Sequence, residues 1–214
     1  PVERNLAAAT ALVETCEAAQ TPLGIVFQHR MRAASRALKA VLDEGRLGPL
    51  ATVEIRVPWW RPQSYYDAPG RGSYARDGGG VMINQAIHTL DLALWLAGPV
   101  THVQAVMHRT ALHDLEAEDW AGALLHFANG AMGTLMASTA AYPGASESLT
   151  LHGTQGMAHL AEGTLRLSLQ DGTEETHGAS AATGSGADPM AFTHDWHQSI
   201  LEDFAMALRN TRPP

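Results

Sequence analysis

The stretch GGGVMINQAIHTLDLALWLAGP, residues 78–99, puts three glycines at the head of a helical pattern and a Gly-Pro stop at its end. Ile87, Leu90 and Leu94 recur at helical spacing, and Trp95 and Leu96 widen the apolar side. Asn84, His88 and Asp91 stand at i, i+4 and i+7, which predicts one polar stripe on a helix otherwise fit for burial. Asp91 is placed to accept from one imidazole nitrogen of His88 and fix its tautomer, leaving the other nitrogen to exchange a proton near neutral pH. The glycines let the backbone approach something closely, where free N–H groups favour an anion or a carbonyl oxygen. From spacing alone, a core histidine satisfied by its neighbours is the commoner reading.

Upstream, residues 3–19 read as a helix with Leu6, Ala9, Leu12, Val13 and Cys16 at its spacing, and LGIVFQH (23–29) reads as a buried strand. A helix at about 33–45 and the strand ATVEIRV (51–57) follow, so the chain opens α-β-α-β, like a parallel layer cut partway through. From about residue 101 the pattern changes to short strands between turn residues, an antiparallel meander. Its best hairpin joins 120–127 to 131–138 across Asn129-Gly130, with a two-residue turn expected. Residues 178–189 read as a mobile loop or lid, and 193–209 as a last helix with Trp196, Ile200, Phe204 and Leu208 on one stripe.

Composition narrows the function. Fourteen basic against twenty-two acidic side chains give a net charge of -8 with no basic run, which argues against nucleic acid. No apolar run is long enough to span a membrane. The one cysteine, Cys16, cannot form an internal disulfide, and a reducing cytoplasm is the expected compartment.

The run 78–98, with YYDAPGRGSYARD (65–77) and VFQHRMRAASRALKAVLDEGRLGPL (26–50) before it, resembles the glucose-fructose oxidoreductase and inositol dehydrogenase family of NAD(P)-dependent oxidoreductases. The resemblance runs from Pro1 to about residue 175 and resumes in HDWHQSILEDFAMALRNTRPP (194–214). It implies an α+β fold: an open, mostly antiparallel sheet covered by helices on one face, preceded by a remnant of a Rossmann-type layer. It divides the chain into residues 1–30, a remnant of the dinucleotide-binding domain, and 31–214, a substrate-binding and oligomerisation domain. It makes His88 the proton donor and acceptor for hydride transfer between nicotinamide and a sugar or polyol, with Asn84 orienting a substrate hydroxyl where relatives often carry Asp. Arg71, Tyr66 and Trp60 are the further expected substrate contacts. Gln28, His29 and Arg30 are expected beside the nicotinamide of NAD or NADP. The family's catalytic lysine would precede Pro1-Val2, and the glycine-rich dinucleotide fingerprint is absent from this sequence. A second copy of the chain on the open sheet face is the expected partner.

Two other readings stay open. HDWH (194–197) with Glu202 or Asp203 suggests a metal site, but a hydrolytic centre needs a clear third ligand, so no metal is assigned. The chain is otherwise a non-catalytic structural module, in which Trp59-Trp60 and Tyr65-Tyr66 serve equally as core or as a sugar-stacking wall.

Overall fold

The structure, a computed structural model, describes residues 2–180, 193–210 and 212. Most of the segment read as a mobile lid lies outside the described residues. Eight strands form one sheet: β1 (Leu50–Pro58), β2 (Val100–His108), β3 (Trp120–Phe127), β4 (Met132–Ser138), β5 (Ser148–Gly153), β6 (Gly156–Ala161), β7 (Thr164–Leu169) and β8 (Glu174–Gly178). Their order is β2-β3-β4-β1-β5-β6-β7-β8, with one parallel pair, β1 on β4, and antiparallel pairing elsewhere. The strand at 51–57 is thus not part of a separate opening layer but the centre of the sheet, flanked by β4 and β5.

Alternation along β1 sets the two faces. Val53, Ile55 and Val57 are buried while Thr52, Glu54 and Arg56 are exposed, as period-two side chains require. The buried face packs under α2 (Ala33–Asp43) and α4 (Ile87–Ala97), whose Leu38, Val41, Leu92 and Leu96 join Leu149, Leu151, Leu165 and Leu167 in one core. Among the described residues no helix is long and apolar enough to cross a membrane.

Three local expectations change. LGIVFQH forms no strand; Leu23 and Val26 are exposed, and Gln28–Met31 closes a 3₁₀ turn. A strand is held by a hydrogen-bonded neighbour, and none of the described residues pairs with this segment. The helix before it, α1 (Leu6–Ala18), is capped by Asn5 Oδ1 on the Ala8 amide at 2.9 Å but buries no residue. The β3–β4 hairpin turns through three residues rather than two. Phe127 N–H donates to Ala131 O, Gly130 N–H donates to Phe127 O, and only Gly130 has positive φ there.

A buried ion pair fastens the helices to the sheet. Arg32 Nη1 donates to Glu147 Oε1 at 2.5 Å, and Glu147 Oε2 accepts from Trp59 Nε1 at 3.1 Å. The Arg32 guanidinium also lies 4.5 Å from the ring centre of Trp196 in α5 (Asp195–Arg209).

The glycines of 78–80 answer to the chain itself. Gly80 N–H donates to Glu118 Oε2 and Met82 N–H to Glu118 Oε1, both at 3.0 Å, while Val81 N–H donates to the Glu118 carbonyl at 2.9 Å. A Cβ on Gly80 would fall 1.7 Å from that carbonyl oxygen. Gly78 combines φ +80° with a backbone approach to Arg4 that leaves a Cβ only 2.5 Å from the Arg4 carbonyl oxygen. The anion expected at the helix start is therefore the buried carboxylate of Glu118. Gly80→Ala must displace Glu118 and its three bonds, worth about 1 kcal/mol each. A urea midpoint showing about 3 kcal/mol of lost stability is expected; an unchanged midpoint would contradict this anchoring.

Candidate active site

The helical run from Val81 to Ala97 contains a π turn, Met82–Ala86, ahead of α4. An extra residue per turn there changes the facing of Asn84 relative to His88, and such turns recur at functional sites. The single polar stripe is resolved into separate contacts. Asn84 Nδ2 donates to the Gly79 and Gly80 carbonyls, 3.0 Å each, leaving its amide oxygen uncommitted among the described residues. Asp91 accepts a bidentate pair from Arg30, Nε at 2.7 Å and Nη2 at 2.5 Å. No hydrogen bond joins Asp91 to His88.

His88 instead lies among rings. Its centroid is 6.1 Å from Phe27, edge to face, and 5.4 Å from His29. Neither nitrogen of His88 has a hydrogen-bond partner among the described residues, and its Nδ1 is buried. Burial, aided by the nearby Arg32 charge, pulls its pKa from 6.5 to about 4. Burial and the same arginine push His29 well below its usual value. Both imidazoles are thus neutral at pH 7. His29 Nδ1 and Gln28 Oε1 are also buried without partners, whereas Arg30 is committed to Asp91.

The other expected substrate residues gather around the neighbouring tyrosines. Tyr66 is buried, and its hydroxyl is shared with Thr139 Oγ1 at 2.5 Å; burial raises its pKa to about 12. Tyr65 is the more accessible of the pair; its hydroxyl accepts from Gln85 Nε2 at 3.2 Å. Arg71 lies over its ring, 4.1 Å from the centroid. Trp60 packs 5.8 Å from His113 and 5.3 Å from Tyr142. His113 contrasts with His88, because both its nitrogens are committed: Nδ1 to Asp119 at 2.7 Å and Nε2 to the Arg61 carbonyl at 2.8 Å. The histidines of 194–197 form no metal-binding group of three among the described residues.

Sequence reasoning passed over Glu118, Asp119, Gln85 and Arg61. An acidic pair before a strand reads as solvated surface, and only its burial shows otherwise.

The pKa of His88 has a consequence for stability. Folded His88 refuses a proton that the unfolded chain accepts, so the folded state loses stability as pH falls from 6.5 toward 4. By pH 5 the loss from this group is on the order of 1–2 kcal/mol. His88→Gln, which takes no proton, is expected to show that much less destabilisation between pH 7 and pH 5 in urea titrations; parallel profiles would disprove the neutral, buried state.

Comparison with known proteins follows the geometry. Residues 35–159, more than half of the chain, match the family model described as the GFO/IDH/MocA C-terminal domain. The chain is 31% identical over 220 residues to the D-apiose dehydrogenase of Rhizobium rhizogenes, covering 98% of this chain and 58% of that protein. It is 37% identical to the WlbA dehydrogenase of Bordetella pertussis, solved with NADH and UDP-GlcNAcA, over 71% of this chain and 47% of that one, with TM-score 0.68. An oxidoreductase from Agrobacterium radiobacter, solved with NAD+, L-tartaric acid and magnesium, shares the fold over 99% of this chain and 62% of that one, at 23% identity and TM-score 0.80. The chain thus spans only about half the length of the relatives it matches. A buried helix with an uncommitted histidine on an open, mostly antiparallel sheet, together with these matches, makes the chain a member of the GFO/IDH/MocA family.

Proposed function

We propose that the chain is the substrate-binding part of an NAD(P)-dependent oxidoreductase that transfers hydride between nicotinamide and a sugar, polyol or related hydroxyl or carbonyl compound. The observation that carries this reading is the state of His88: neutral at pH 7, with neither nitrogen hydrogen-bonded among the described residues. A satisfied core histidine looks like His113; His88 does not. The D-apiose dehydrogenase and the NADH-bound WlbA dehydrogenase support the same class of chemistry.

In this reading His88 accepts the hydroxyl proton as the substrate carbon gives up hydride, and returns it in the reverse direction. The nicotinamide supplies the hydride acceptor. Gln28 and His29, with buried polar atoms that none of the described residues uses, fit a ring bearing a carboxamide and would hold it; Arg30 would act only by fixing Asp91. The uncommitted oxygen of Asn84 accepts from a substrate hydroxyl, and as an amide it orients without titrating. Residues 1–30 would then belong with the nucleotide-binding half and 31–214 form the substrate and assembly domain, in the cytoplasm. A preparation that reduces NAD(P)+ with a sugar or polyol should lose turnover by about two to four orders of magnitude in His88→Gln, with its melting temperature kept at pH 7. Undiminished turnover would sink the assignment.

The open sheet face supports homo-oligomerisation. Val106, Leu124 and Met132 are 66%, 48% and 43% exposed. The ladder aligns Gln104 with Leu124 and His126 with Met132, so these apolar side chains lie on the face opposite the helices. A second copy of the chain covers them in this reading. Leu124→Glu is expected to shift sedimentation to the monomer, and an unaltered wild-type monomer would remove the homo-oligomer reading.

A further inference from the structure

The two outer strands of the sheet are built differently. β8 is five residues long and carries two acids, Glu174 and Glu175, and short, charged strands are how proteins keep a sheet edge from pairing. β2 is nine residues long, VTHVQAVMH, and contains no acid, lysine, arginine or proline. Among the described residues it has a hydrogen-bonded neighbour on one side only, β3, and every residue from Thr101 to His108 is exposed. Its outward N–H and C=O groups therefore meet none of the usual guards against a further strand.

Both faces of β2 are apolar. Val103 and Met107 pair with Leu125 and Ala121, whose side chains are buried on the helix-bearing face, yet they are themselves 58% and 60% exposed. With Leu90 and Leu94 of α4 they line an apolar groove along the sheet edge. A copy stacked on the open face covers Val106 and leaves this groove in water. The edge needs a contact of its own.

An edge of this kind takes an extended strand, and charge selects which one. β8 of another copy would bring two acids against an uncharged edge, and such a head-to-tail contact continues as a filament unless its rotation closes. A two-fold axis at Gln104 instead pairs β2 antiparallel with itself over all nine residues. Val103 then faces Ala105 of the second copy, Thr101 faces Met107 and Val106 faces His102, so apolar side chains meet along the groove and no carboxylate, lysine or arginine is enclosed. We propose that β2 pairs in this way with β2 of a second copy, joining the two sheets into one. The inference rests on the edge itself and not on the contact proposed for the open face. Where both contacts form, two kinds of two-fold axis close as a tetramer.

Sedimentation velocity of the 214-residue chain, native and with Val103→Lys or Leu124→Glu, tests this pairing. A charge at position 103 should halve the mass of the native assembly, and Met107→Lys should do so if Val103→Lys does not fold. In a Cys16→Ser background, which removes the one native thiol, Gln104→Cys should give a disulfide-linked dimer on mild oxidation. The axis sets position 104 opposite itself with Cα atoms about 5 Å apart, within disulfide reach. Val106→Cys in the same background should not cross-link, since its two copies lie about 13 Å apart along the strands. A native monomer overturns both contacts. An assembly that Leu124→Glu divides and a folded edge variant does not overturns the pairing and leaves the open face standing, whereas the reverse pattern keeps the pairing and removes the open-face contact. Absence of a cross-link through position 104, or an equal one through 106, also overturns the pairing.

Discussion

Three consecutive backbone amides, those of Gly80, Val81 and Met82, end on one residue, Glu118. Those amides open a helix and would otherwise be left without acceptors in a buried place. A carboxylate satisfies two of them and favours the positive end of the helix dipole at the same time. The price is a glycine at position 80, since any side chain there would overlap the Glu118 backbone. Glu118 is followed by Asp119, which carries the constraint into the sheet. Asp119 donates its amide to His108 at the end of β2, accepts from the Thr139 amide just beyond β4, and holds the 110–113 turn through Thr110 and His113. The helix bearing His88 is thereby fixed to the ends of two strands by two adjacent acids.

Burial alone does not separate structure from function in this molecule. His113 is more deeply buried than His88, yet its ring is fully used within the protein. The buried polar atoms without partners include Gln28 Oε1, His29 Nδ1, Arg32 Nε, Ser35 Oγ, His88 Nδ1 and Thr89 Oγ1. Six of the seven such atoms among the described residues lie on two segments, 28–35 and 88–89, that meet where α4 packs on the 3₁₀ turn and on α2. A well-packed core leaves such atoms rarely and scatters them. Their concentration at one junction sets the surroundings of His88 apart from those of His113, whose ring is fully hydrogen-bonded.

Most of the architecture was legible in the sequence because periodicity reports burial. The 3.6-residue pattern placed α2 and α4, and alternation placed the strands. It could not say which strands pair, since a period of two carries no partner identity; hence β1 was read into an opening layer and emerged between β4 and β5. The segment 23–29 has strand composition but no ladder, and composition cannot supply the neighbour that a strand needs. At the site, spacing alone favoured a core histidine at position 88, and the family resemblance singled it out, because helical periodicity does not report whether a buried ring finds hydrogen-bond partners. The partner of Asp91 was not legible, because Arg30 lies 61 residues away. Tyr66 was chosen where Tyr65 is the accessible ring, since two identical neighbours offer no local signal as to which one turns inward.

The π turn explains why the polar side chains of this run divide as they do. In a regular helix Asn84 and His88, four apart, would stand one above the other on a single face. The wider turn from Met82 to Ala86 breaks that alignment, so neighbouring side chains leave the helix toward different structures. Asn84 turns back to the glycine carbonyls, Gln85 reaches Tyr65, and His88 meets Phe27 and His29. Three neighbouring polar side chains are thereby carried on one helical run without competing for the same space. Because Glu118 grips that element at its first turn, the placement of all three side chains is set by one anchor and by the packed core beneath α4.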